Sequence, residues 1–239
     1  MRLVTFSAGP AGDARAGVRV GHRVLDIESA SRVKGEPLPS TVRGLLAAGR
    51  GALSRVRALA KAAVTEAGSF SHAMHEERAV RLLAPVPDGA VVRDAAAAPG
   101  GGAAIVFVIG RQARAIGVDE ALDHVAGITL LLDLRDGPVV GPEIVTMDEI
   151  GEPAELAIAW SVNGTLLARS NAAAAFDRFP AFLSRSTHES AAEPGDLFAE
   201  AVPLVPAPAG GLPAAMRPGD VIECAIEGVA ALRVTINGS

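Results

Sequence analysis

The sequence predicts a mixed α/β protein, rich in β-strand, in which a small N-terminal β-meander plus helix precedes a larger sheet-rich unit. Three observations carry this. Short apolar runs bounded by Gly, Pro and Asp recur along the chain, as strands and tight turns require. One long apolar stripe of helical period stands near the N-terminus. Of 239 residues, 49% are apolar and 21% charged, a balance that supports a sizeable core and excludes disorder across the whole chain.

The opening segment reads as strands at Leu3 to Phe6, Val18 to Val20 and Val24 to Ile27, with turn chemistry at Gly9-Pro10, Gly12-Asp13 and Gly21-His22. Ser40 reads as the N-cap of a helix running to about Ala67 through Val42, Leu45, Leu46, Leu53, Val56, Leu59 and Val64, with Gly44, Gly49 and Gly51 weakening its first half. Pro85, Pro87 and Asp88-Gly89 mark a boundary, and the Gly- and Ala-rich stretch from Ala95 to Ala104 reads as a linker or loop. Beyond it, Ile105 to Ile109 and Ile128 to Leu132 are continuous apolar runs suited to buried strands, separated by a short helix at Val118 to His124. Leu156 to Val162 and Thr165 to Ala168 flank Asn163-Gly164, a strong hairpin signal, and Phe176 to Ser184 reads as helix. Two Pro-Gly-Asp turns, at Pro194 and Pro218, each launch a strand. In the second strand Ile222, Cys224 and Ile226 share a face, so Cys224 points inward. The expected division is an appendage over residues 1–77 and a domain over residues 78–239.

Net charge is −5 with no block of like charge, which gives no electrostatic draw towards nucleic acid or an anionic membrane surface. No run of eighteen apolar residues occurs and the N-terminal segment lacks a signal-like apolar stretch, so neither a membrane span nor secretion is expected. The single cysteine, Cys224, forbids an intramolecular disulfide and fits a reducing, cytoplasmic setting. Small molecules or proteins are the expected partners.

From residue 78 to about 237, a series of segments in order resembles the fumarylacetoacetate hydrolase family: LLAPVPDG (Leu82 to Gly89), VIGRQARAI (Val108 to Ile116), EALDHVAGITLLLD (Glu120 to Asp133), GPEIVTMDEIGEP, SVNGTLLARSN, PGDLFAEAVP and RPGDVIECAIEGVAALRV. Their order and spacing are more specific than any one of them. The resemblance implies a fumarylacetoacetate hydrolase-like rolled, mixed β-sheet core, usually dimeric, and the meander plus helix is similar to the N-terminal appendage of many bacterial members. It also implies a divalent cation held by three carboxylates, a Glu-x-Glu pair before one strand and an Asp at the end of the next. A hard ion prefers oxygen ligands and, by chelating adjacent substrate oxygens, polarises the carbonyl and stabilises the enolate released by C–C cleavage. In the family's hydrolases a His-x-x-Glu pair on a lid activates water.

Carried onto this sequence, the Glu-x-Glu positions fall on Gly102 and Ala104, and Asp133 matches the third carboxylate. One monodentate carboxylate does not hold a divalent ion against its hydration shell, so no metal and no other cofactor is expected. The segment between Asp88 and Ile105 is shorter than the family's, which removes the lid and its His-x-x-Glu pair. The run DLRDGPVVGPEIVT lacks a loop that commonly contributes a lysine, and leaves Arg135 and Asp136 at the place of an Arg-Asp pair. The family's Thr-Gly-Thr-Pro run has become Glu200-Ala201-Val202-Pro203.

The candidate catalytic residues are therefore Asp133, Arg135 and His124. Asp133 reads as a relict ligand or a metal-free acid or base, against the plainer account of a strand-end carboxylate bonded to backbone N–H groups. Arg135, with Asp136, reads as an anion contact or as one half of a simple turn pair. His124 ends a helix that enters the core, where packing or a helix-terminus role outweighs catalysis. His72 and His75, with Glu76 and Glu77, have ligand-like helical spacing but precede the family segments and read as solvated surface. Two functions of different class follow. One is a non-catalytic scaffold, either a subunit of a heteromer with an active relative or a homodimer. The other is a metal-independent isomerase, decarboxylase, cyclase or C–C hydrolase acting on a keto-enol or polyketide-like small molecule through acid–base groups and shape. A metal rebuilt on Asp133 with Asp136 or Glu143 is a third reading.

Overall fold

The computed structural model describes residues 1–9, 12–89, 91–93, 102–134, 137–202 and 217–236. The expected meander is present as β1 (Arg2–Ser7), β2 (Arg15–Val20) and β3 (Arg23–Asp26). Ile27, expected to end the third strand, instead opens α1 (Ile27–Val33), because the Asp26 carboxylate caps that helix and accepts from the Ser29 amide at 3.1 Å. The single helix expected over residues 40–67 is two, α2 (Val42–Ala47) and α3 (Gly49–Thr65). Thr41 rather than Ser40 caps the first, and the chain turns at Gly49, whose φ of +79° favours glycine. Two short strands, β4 (Met74–Glu76) and β5 (Arg81–Leu83), complete the N-terminal part.

Then follow β6 (Val91–Arg93), β7 (Ala103–Ile109), β8 (Val125–Leu134), β9 (Gly137–Val140) and β10 (Glu143–Thr146). Ala103 and Ala104, expected in a loop, are strand because both are paired to β8; residues 95–101 of that stretch lie outside the described residues. The segment Val118–His124 is a 3-10 helix. The predicted hairpin is β11 (Ala157–Val162) and β12 (Thr165–Asn171), with positive φ at Asn163 and Gly164. After α4 (Ala173–Glu189) come β13 (Leu197–Val202), β14 (Val221–Ile226) and β15 (Ala230–Thr235). Among the described residues, no helix is long and apolar enough to cross a membrane.

The strands form two sheets. One runs β4-β3-β2-β1-β10-β8-β7-β13-β6, with β5 added to β1 and β9 to β8; the other runs β12-β11-β14-β15. Because β1 pairs with β10, the appendage and the larger unit share one sheet. That junction forks. Arg2 to Val4 pair with β10, whereas Thr5 to Ser7, on the same side of β1, pair with β5. Along β8, β9 and β10 lie end to end. At Pro142, which has no N–H to offer, β5 and β9 begin to compete for one position in the sheet, and the sheet splits.

Among the described residues, two large apolar cores flank the main sheet, beside a small cluster of Val4, Phe6 and Val24. One, beneath the four-stranded sheet and α4, contains Trp160 and a stack of Phe107 on Phe179 with centroids 3.9 Å apart. The other lies under α2 and α3. As alternation predicts, Ile222, Cys224 and Ile226 are buried on one face of β14. Burial pushes the Cys224 thiol up to about 12, against a smaller lowering by the neighbouring Trp160 indole. An acid whose pKa is higher folded than unfolded keeps its proton in the fold. Its contribution is therefore intact below about pH 9 and lost as the pH rises towards 12. At pH 8 the native thiol is expected to resist a disulfide reagent until denaturant is added, and full labelling in buffer would contradict this burial.

Both Pro-Gly-Asp turns are built alike. The amides of Asp196 and Asp220 donate to the carbonyls of Glu193 and Arg217 at 3.0 Å each, and each Asp carboxylate accepts the amide three residues back at 2.8 Å. With φ of +92° at Gly195 and +91° at Gly219, these are type II turns. The first is also a junction, since Arg43 of α2 donates to the carbonyls of Pro194 and Asp88 at 3.0 Å each. Gly195→Ala is expected to cost about 1–2 kcal/mol, read as a lower urea midpoint at unchanged m-value. Gly219→Ala, where an added Cβ meets nothing within 4 Å, isolates the backbone part of that cost.

Candidate functional site

The register of β7 and β8 sets the geometry. Ala103 lies opposite Leu132 and Ala104 opposite Leu131, and the Asp133 amide donates to the Gly102 carbonyl at 2.9 Å. Since side chains alternate along a strand, positions 102, 104, 131 and 133 share one face. The fold thus brings together the three positions that the family resemblance assigns to metal ligands, and one of them carries a carboxylate. A Cβ at Gly102 would meet nothing within 4 Å among the described residues. Ala104, in contrast, is 7% exposed within the aliphatic core that also takes in Leu131, Ala199 and Val140. A hard divalent ion needs several oxygen ligands, so the residues at this place do not fit one. Among the described residues, no group of three or more His, Cys, Asp or Glu stands ready to hold a metal.

Of the other sequence candidates, His124 is described and does not approach Asp133. Arg135 and Asp136 lie outside the described residues. His124 immediately precedes β8, about 30 Å along an extended strand from Asp133. It is buried against Arg111. Its Nδ1 donates to the Arg111 carbonyl at 3.2 Å and its Nε2 accepts from Arg111 Nη2 at 3.0 Å, an assignment imposed by a guanidinium that can only donate. The amides of Gly110 and Arg111 in turn donate to the His124 carbonyl, so this residue holds a turn. His75 lies in β4 opposite Val24, with its ring 5.4 Å from that of Phe6, while His72 is exposed. Glu200, in the place of the family's first Thr, is opposite Ile105 on the face of β13 away from Asp133. It is buried and accepts from Arg178 Nε at 3.2 Å, and Arg178 Nη2 donates to the Ala201 carbonyl at 2.6 Å.

Among the described residues, clefts open elsewhere, and Asp133 lines neither of the following two. One, of about 630 Å³, is bounded by Arg2, Arg19, His22, Arg57 and Asp148. The other, of about 820 Å³, fills the fork between β5 and β9 beside the β14–β15 hairpin. An ion network forms their shared wall. Glu143, 3% exposed, accepts from Arg2 Nη1 and Arg19 Nη1 at 2.8 Å each. Arg19 also pairs with Glu77, whose hydrogen bond is the main cause of its raised pKa. Arg2 reaches on to the carbonyls of Val229 and Gly228 at 2.6 and 3.1 Å, fastening the hairpin turn. With two guanidinium groups on its carboxylate, Glu143 is committed to this network rather than to a cation beside Asp133. The spacing of these residues in the sequence announces none of this.

Residues 134–237 match the family model for the fumarylacetoacetate (FAA) hydrolase C-terminal region. A mitochondrial oxaloacetate tautomerase of Xenopus laevis is 29% identical over 154 residues, 54% of this chain and 47% of that protein. The chain spans about half the length of the curated relatives it matches. The crystal structure of maleylpyruvate hydrolase from Sphingobium sp. SYK-6 shares the fold, with a TM-score of 0.70 at 22% identity and 100% of both chains covered. The same hydrolase in complex with manganese(II) and pyruvate gives 0.69, also over 100% of both chains and at 22% identity. The ordered segments, the family match and the shared fold agree: residues 134–237 match the fumarylacetoacetate hydrolase family, and the chain shares the fold of its solved relatives.

Proposed function

We propose that this chain is a non-catalytic member of its family, serving as a scaffold or as a subunit of a heteromer with an active relative. The supporting observation is the face shared by positions 102, 104 and 133, which carries one carboxylate and packs Ala104 under aliphatic side chains. Chelation of adjacent substrate oxygens has no basis in that donor set.

Metal content and thermal stability with and without excess Mn²⁺ or Mg²⁺ test it. A ligand that binds the native state at a hundredfold excess over its Kd stabilises by about 2.7 kcal/mol, a shift of several degrees. The expected result is no stoichiometric metal and no shift. Stoichiometric metal with a clear shift overturns the proposal.

A metal-independent enzyme is the second reading, favoured by the names of relatives that act on 2-oxo acids, oxaloacetate and maleylpyruvate. Here Asp133 serves as the acid or base on a keto-enol small molecule. Oxaloacetate tautomerisation followed by enol absorbance separates the two. A rate abolished by Asp133→Asn selects the enzyme, and no rate above buffer selects the scaffold.

A further inference from the structure

We infer that the fork between β5 and β9 is a docking groove for an extended acidic segment of a partner protein, which enters as an added strand. The topology supplies the frame. β1 and β8 are each antiparallel to β10 and so run in the same direction. β5 is antiparallel to β1 and β9 to β8, so these two also run in one direction, with their free edges turned towards each other across the fork. Among the described residues, neither free edge is paired with a strand. A single guest strand running along β1 would be antiparallel to both edges, the stronger mode of pairing, and its backbone groups would meet donors and acceptors on two sides.

The cleft has the dimensions and lining for such a guest. Its volume of about 820 Å³ is walled by Leu82, Val139, Val140 and Leu232, which suit alternate apolar side chains. Four arginines and three glutamates line it. Arg2 and Arg19 are committed to Glu143 and Glu77, whereas Arg81 and Arg233 are exposed and make no ion pair among the described residues. The one uncommitted carboxylate in the lining is Glu227, at the hairpin turn. The local balance is positive in a chain of net charge −5, so the attraction is directed to carboxylates that reach this cleft. Neither Asp133 nor any metal enters the inference, which therefore stands apart from the non-catalytic reading.

The test is fluorescence anisotropy of a fluorescein-labelled heptapeptide of alternating glutamate and valine, titrated with the full chain. Saturable binding is expected, with a Kd on the order of 10–100 μM. The double variant R81E/R233E, which keeps the wild-type melting temperature because both side chains are exposed, is expected to bind at least tenfold more weakly. A peptide N-methylated at its valines, which loses the donors to one edge, is expected not to bind. Absence of saturation at millimolar protein overturns the inference. So does equal binding of the N-methylated peptide, of a lysine–valine peptide, or of the double variant. A chain that proved catalytic or metal-bound would leave these outcomes unchanged, so failure here and failure of the functional reading are distinct.

Discussion

Glu143→Gln is expected to lower the stability of the protein by about 3 kcal/mol, more than the loss of any exposed ion pair on its surface. The substitution keeps the shape and removes the charge. Glu143 is 3% exposed, while Arg2 and Arg19 are 32% and 27% exposed, so the carboxylate is the member of the network that water cannot replace. Without it, Arg19 retains Glu77, but Arg2 retains only the carbonyls of Gly228 and Val229. The position adds to the effect, because Glu143 is the last residue of β10 paired to β1 before the fork opens. A weakened apex therefore loosens the joint between the N-terminal strands and the larger unit, as well as the hairpin that Arg2 fastens. Urea denaturation checks it, with Glu77→Gln as the control expected to cost under about 1 kcal/mol, since Glu77 is 29% exposed. High salt should narrow the deficit little, as a buried pair is poorly screened. A Glu143→Gln midpoint within error of wild type would mean that the network orders the surface without stabilising the fold.

How much of this was legible in the sequence depends on how local the cause is. The buried strands at Ile105 to Ile109 and Ile128 to Leu132 declare themselves as continuous apolar runs, and Asn163-Gly164 as a turn between alternating segments. Asp133 is legible through the ordered family segments around it. Ala103 and Ala104 read as loop because alanine has little strand preference, and it is their partners on β8 that make them strand. The helix break at Gly49 is half legible: glycine marks a weak point, but its positive φ follows from the packing of α2 and α3. The ion network is illegible, because Glu143 meets Arg2 and Arg19 across 141 and 124 residues. The fork is illegible for the same reason, since it depends on strand order and on which side of β1 two different strands are laid.

At two positions that the family resemblance assigns to ligands, Ala104→Glu is expected to cost about 4 kcal/mol at neutral pH, while Gly102→Glu is expected to stay within about 1 kcal/mol of wild type. Both substitutions add the same carboxylate to the same face of β7, so the difference isolates what lies over each position. At Gly102 an added Cβ meets nothing within 4 Å among the described residues. At Ala104 it enters the core shared with Leu131, Val140 and Ala199, where an ionised carboxylate has no water and the cross-strand neighbour is an aliphatic side chain. Such a group is favoured in its protonated form, so its pKa in the fold rises above the value of about 4.3 in the unfolded chain. Above that value the unfolded state releases a proton that the folded state retains, and stability falls as the pH rises. The Ala104→Glu deficit should therefore shrink towards pH 4, whereas Gly102→Glu, opposite Asp133, should show only the smaller dependence of two cross-strand carboxylates, under about 1 kcal/mol. Thermal melts of both variants between pH 4 and 8 measure this. A pH-independent Ala104→Glu variant as stable as Gly102→Glu would show that the core yields at 104, so that the face lacks only its ligands. A large, pH-dependent deficit would show that packing has filled the site, which a restored carboxylate alone cannot reopen.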